Sequence, residues 1–88
     1  MDLPSIKECP IVRIRWVDAT DVETGWLGLK EILDKTLISV ESVGWLAHES
    51  EEKVILIGCW DEVDQNAGRA VIIPRPWIIK KEILVCQA

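Results

Sequence analysis

Seven consecutive uncharged residues, Val54-Ile55-Leu56-Ile57-Gly58-Cys59-Trp60, are closed in front by Glu49-Ser50-Glu51-Glu52-Lys53 and behind by a loop beginning Asp61-Glu62-Val63-Asp64. A run this short, this apolar and bounded by turns reads as a strand, and a strand with no polar side has to be covered on both faces. It needs other strands around it, and the rest of the chain supplies them. Val12-Arg13-Ile14-Arg15-Trp16-Val17 alternates apolar and basic residues, which predicts a half-buried strand with Val12, Ile14 and Trp16 inward. Residues 37–48 are rich in β-branched side chains but change phase around Ser42 and Gly44, so a strand that bends or bulges there is expected. Arg69-Ala70-Val71-Ile72-Ile73 is a fourth strand stopped by Pro74, and a last strand follows the Pro-x-Pro-Trp segment within residues 78–85.

Between the first two strands, residues 18–25 are polar and end in Gly25, which predicts a long loop. Residues 27–35 then set Leu29, Ile32 and Leu33 at helical spacing. They predict one or two turns of helix, too short to stand alone. The whole is expected to be an all-β fold with one short helix, an SH3-like or Sm-like small five-stranded barrel occupying residues 1–88 as a single domain. Closure would hide sheet edges and draw a core from alternate residues of every strand. The competing arrangement is an open four- or five-stranded α+β sheet with the helix on one face. At 88 residues, a compact chain has a radius of gyration of about 12 Å.

Ten Lys and Arg against fifteen Asp and Glu give a formal net charge of -5, which opposes the counterion release that DNA and RNA binders depend on. No apolar run approaches the roughly 20 residues of a membrane span. Residues 1–10 carry Asp2, Lys7 and Glu8 and no signal-like stretch, so a cytoplasmic protein is expected. The acidic residues cluster as Asp18, Asp21 and Glu23, as Glu49, Glu51 and Glu52, and as Asp61, Glu62 and Asp64. Arg13, Arg15, Arg69, Arg75, Lys80 and Lys81 lie elsewhere, and a fold that gathers some of them could hold a small anion.

Nucleophilic catalysis needs a base beside a Ser, Thr or Cys, and the one imidazole, His48, ends a strand next to an acidic turn. No Walker, Rossmann or G-x-S-x-G spacing is present, and the carboxylate clusters lack the pattern of a calcium loop. No catalytic, metal or cofactor residues are assigned. Cys9, Cys59 and Cys86 are far apart without C-x-x-C spacing, so neither a disulfide framework nor a zinc site is indicated; Cys59 and Cys86 read as small buried hydrophobes.

The aromatic content is five Trp, at 16, 26, 45, 60 and 77, with neither Tyr nor Phe. A small barrel buries two or three indoles and leaves the others near its surface, for a flat ligand or a subunit contact. The candidate binding residues are Asp18, Thr20, Trp26, Trp45, Arg75 and Trp77. Indoles stack on nucleobases at about 1–3 kcal/mol per base, Arg grips phosphate with paired hydrogen bonds, and Asp18 and Thr20 suit base edges or ribose hydroxyls. The plainer account makes Trp45 and Trp77 core anchors and Arg75 a surface charge beside a turn.

The same positions carry a resemblance. Trp16-Val17-Asp18-Ala19-Thr20, Trp26, Val43-Gly44-Trp45-Leu46 and Ile73-Pro74-Arg75-Pro76-Trp77-Ile78 resemble, in order and spacing, a widespread family of short proteins of tailed bacteriophages. Pro76 stands where that family has Gly. Some small phage proteins that look like this act as sponges in CBASS or Thoeris counter-defence, sequestering cyclic nucleotide signals without cleaving them. The resemblance implies a non-enzymatic binder of a cyclic di- or oligonucleotide in the infected host's cytoplasm. A homo-oligomer is expected, because a pocket between protomers buries more ligand than so small a domain can. The alternative is an SH3-like interaction module that binds a host or phage protein through exposed Trp and the long loop. A small phage enzyme or an RNA-binding Sm-like ring fits the acidity and the lone His48 less well.

Overall fold

The alternation near the start of the chain becomes β1, Ile11–Asp18, with Val12 and Ile14 fully buried and Trp16 half-buried. A computed structural model describes residues 3–19 and 25–85. The other strands are β2 (Ile38–Glu49), β3 (Lys53–Asp61), β4 (Asn66–Pro74) and β5 (Ile78–Ile83), with one helix, α1 (Leu29–Leu33). Short 3-10 turns occupy Ile6–Glu8 and Arg75–Trp77. The five strands make one antiparallel sheet in the order β4-β3-β2-β1-β5.

The twelve-residue β2 serves two neighbours. Residues 38–45 pair with β1 and residues 45–49 with β3, so the hand-over falls at Trp45 and a register shift follows between Leu46 and His48. The irregularity thus comes a few residues after the phase change around Ser42 and Gly44. Gly44 sits where the layers crowd: a Cβ there would lie 2.7 Å from the Ile57 carbonyl oxygen. Only a residue without a side chain lets β2 pass this close to β3.

The bend wraps one face of the sheet around a core of Val12, Ile14, Val54, Leu56 and Ile73, against which Trp16, Leu46, Val71 and Ile78 pack. Cross-strand partners such as Leu46 with Leu56, Leu56 with Val71 and Val54 with Ile73 place these side chains on one face. The apolar run of β3 is explained by its other face too, where Ile57 is buried. Beside β2, Ile6 of the first 3-10 turn is buried as well, and the Leu46 amide donates to the Pro10 carbonyl at 2.8 Å.

Three expectations are corrected. The chain is elongated, with a radius of gyration of 16.8 Å and extents of 52 × 28 × 27 Å, because two parts project from the bent sheet. Beyond Ile57 and Ala70, β3 and β4 pair only with each other, and α1 buries none of its residues. Cys59 is exposed because it lies on that projecting hairpin, past the reach of the core; Cys86 lies outside the described residues. None of the five indoles is fully buried: Trp16, Trp45 and Trp60 are half-buried, Trp26 and Trp77 exposed. The sheet itself is open, with β4 and β5 as its edges. Among the described residues no helix is long and apolar enough to cross a membrane.

Candidate functional site

Trp16 is the inward residue of β1 opposite Val40 and Ile78. Its indole Nε1 donates to Ser42 Oγ at 3.1 Å, which satisfies its one polar atom within the sheet. Its ring stacks on Trp77, with centroids 6.4 Å apart and planes at 19°. Trp77 ends a 3-10 turn entered from Pro74 and containing Pro76. Two fixed proline φ angles stiffen the connection that presents this indole. Trp77 is thus held from behind by Trp16 while 41% of its own surface faces solvent.

A hollow of about 390 Å³ opens beside it, walled by Asp18 and Ala19 at the end of β1, Leu37 before β2, Pro76, Trp77 and Ile79. It is apolar apart from the Asp18 carboxylate, whose Oδ1 accepts the Ala19 amide at 2.8 Å. A second hollow of about 240 Å³ shares Ile78 and Ile79 with the first and is lined by Arg75, Lys80, Lys81 and Glu49. Glu49 accepts from Arg75 Nη1 at 2.5 Å and from Lys81 Nζ at 2.7 and 2.8 Å. On the far side of Lys80, Glu82 lies 3.6 Å from its Nζ and 3.1 Å from Arg13 Nη2. Arg75 and Lys81 thus share Glu49, with Glu51 also beside Arg75, while Arg13, Lys80 and Glu82 fall at the alternate register positions of β5 and β1. Another hollow, about 510 Å³ between residues 3–7 and Trp60, is bridged by the Lys7–Glu62 pair at 3.1 Å and has Trp60 as the one aromatic ring in its lining.

Hydrogen bonds from Lys81 and then Arg75 hold the Glu49 carboxyl below its ordinary range, outweighing a small desolvation effect that acts the other way. A carboxyl lowered in the folded state contributes stability above its unfolded range, and the contribution disappears as pH falls through the folded range. The pair geometry is partly exposed, so the contribution is modest, about 0.5–1 kcal/mol. Urea midpoints of the native protein should therefore decline more steeply below about pH 5 than those of Glu49→Gln; parallel curves would show that the cluster does not stabilise the fold.

Of the six expected site residues, the structure brings Asp18 and Trp77 to one hollow and Arg75 to the adjoining one. Trp45 does not join them. It shares its register position with Ile11 and Ile57, on the reverse of the sheet from Val12, Gly44 and the core. Trp26 stands clear of the sheet at 103% exposure, and Thr20 lies outside the described residues. Sequence reasoning missed Ile78 and Ile79 as the shared wall and Glu49 as the carboxylate that ties Arg75; Lys80 and Lys81 were among the cations it named, without their placement beside Arg75. Their signal was present only as a cationic pair in the last strand, with nothing to say which acidic turn would meet it. No family model, curated protein or solved structure matches the chain.

Proposed function

We propose that this protein binds and sequesters a cyclic di- or oligonucleotide without cleaving it, as a phage counter-defence protein acting in the cytoplasm of an infected bacterium. One observation carries the reading: an aromatic hollow floored by Trp77 adjoins, across Ile78 and Ile79, a hollow lined by Arg75, Lys80 and Lys81. A base stacked on Trp77 contributes about 1–3 kcal/mol. Its phosphate then lies toward the cations, where Lys81 and Arg75 share one carboxylate and keep donor capacity for a second anion. Asp18 accepts from a base N–H or ribose hydroxyl. His48, the one imidazole, lies on β2 and lines neither hollow, which supports binding without turnover. The resemblance to short phage proteins supports the biological setting.

We read the bent sheet as a small SH3-like or Sm-like barrel left open on one side. The sharing of β2 between two halves and the 3-10 turn joining β4 to β5 support this. Titration calorimetry with a panel of cyclic di- and oligonucleotides tests the function: a member should bind, and Trp77→Ala should weaken it at least tenfold. A folded protein that gives no heat with any member ends the proposal.

A second reading, an interaction module for a basic peptide, is favoured by one feature, the single Asp18 carboxylate in an otherwise apolar hollow beside Trp77 and Pro76. Asp18→Asn separates the two. It should abolish binding of a Lys- or Arg-containing peptide, whereas a nucleotide held by stacking and cations should lose no more than about tenfold.

A further inference from the structure

The segment between β1 and β2 leaves six large apolar side chains to solvent between residues 26 and 38, among them Trp26 at 103%, Leu29 at 71% and Leu33 at 73%. A five-residue helix has almost no stability of its own in water, so α1 needs a surface to pack on. The sheet does not supply it, since no residue of α1 is buried and α1 has no extensive contact with any strand. The exposed apolar area is on the order of 800 Å², one partner's share of a standard interface.

The charges around this stripe indicate what covers it. Leu29, Ile32 and Leu33 share one face of α1 at helical spacing; Lys30 and the C-cap Asp34 fall on one flank and Glu31 on the other, with Lys35 just past the helix end on Glu31's side by the same spacing. The four charges sum to zero, although the chain as a whole carries -5. When two copies of this helix cross antiparallel about a two-fold axis, each flank meets the same flank running the opposite way. Lys30 then faces Asp34 of the second copy on one side, and Glu31 faces Lys35 of the second copy on the other. Opposite charges meet on both flanks while Ile32, near the axis, meets Ile32 of the second copy and the leucines pack on the apolar face of that copy to either side.

We propose that residues 26–38 are a self-association surface whose occupant is the same segment of a second copy, forming an isologous dimer. Leu37 belongs both to this segment and to the wall of the Trp77 hollow, so the dimer sets the two hollows beside the interface and removes Trp26 from solvent. The inference is independent of the nucleotide reading, because the dimer is measured without ligand.

Sedimentation equilibrium on the full chain should give twice the protomer mass of 10.0 kDa. Leu29→Glu combined with Leu33→Glu should raise the dimer dissociation constant at least a hundredfold and leave the far-UV circular dichroism of the sheet unchanged, since neither side chain is part of the protomer's core. Lys30→Glu alone should weaken the dimer, and adding Asp34→Lys in the same chain should restore it, a rescue that docking on an unrelated partner does not produce. A native chain that stays monomeric at 100 times the concentration used for folding measurements overturns the proposal. So does a double leucine variant of undiminished mass, or a charge reversal without rescue.

Discussion

Gly44→Ala is expected to cost about 3 kcal/mol of stability, at the upper end of what one added methyl does in a packed interior. The new Cβ would meet Ile57 through its carbonyl oxygen at 2.7 Å, its carbonyl carbon at 3.1 Å and its amide nitrogen at 3.3 Å. All three are backbone atoms of β3, so no rotamer change relieves the contact. Relief requires β2 to move away from β3 at the point where it passes from one neighbour to the other, which loosens the bend that encloses the core. Gly68→Ala is the matched control, because its Cβ would rest in ordinary contact 3.5 Å from the Cys59 Cβ on the projecting hairpin. It should change stability by no more than about 0.5 kcal/mol. Urea unfolding of the two variants decides the matter: equal midpoints would mean that the approach of β2 to β3 does not limit the fold.

Trp16→Ala has the next largest effect, and it acts on both the fold and the site. The indole packs against the core, donates to Ser42 and backs Trp77. Removing a fully buried Trp costs about 3–5 kcal/mol; half-burial lowers this to about 2–3 kcal/mol. Trp77 loses its stacking partner at the same time, so nucleotide affinity should fall even at temperatures where the variant remains folded. Trp16→Phe keeps a six-membered ring but loses the fused pyrrole ring and its N–H, so part of the packing goes with the hydrogen bond to Ser42. It should recover most of the affinity and about half of the stability. A Trp16→Ala protein that stays folded and binds with native affinity would mean that Trp77 is positioned by its proline-flanked turn alone.

Two kinds of information were present in the chain to different degrees. Strand identities were legible because the hydrophobic pattern is local. The period of two in Val12, Ile14 and Trp16, the uncharged run of β3 and the proline stop after Ile73 each fix an element from a few neighbouring residues. The bend in β2 was legible as a phase change, although its hand-over at Trp45 was not, since that depends on which strand occupies each side. Of the residues named from the sequence, Asp18, Arg75 and Trp77 meet at adjoining hollows, whereas the pairing register turns Trp45 to the reverse face.

Residue order by itself determined that this chain forms five short strands with a helix too small to support itself, because burial of alternate apolar side chains is dictated by sequence spacing. Tertiary structure alone decided that Glu49 lies between Arg75 and Lys81, that Trp16 backs Trp77, and that the apolar stripe of α1 finds no cover on its own sheet. Each of those depends on contacts between residues far apart in the chain, whose meeting is set by register and curvature and not by any local pattern.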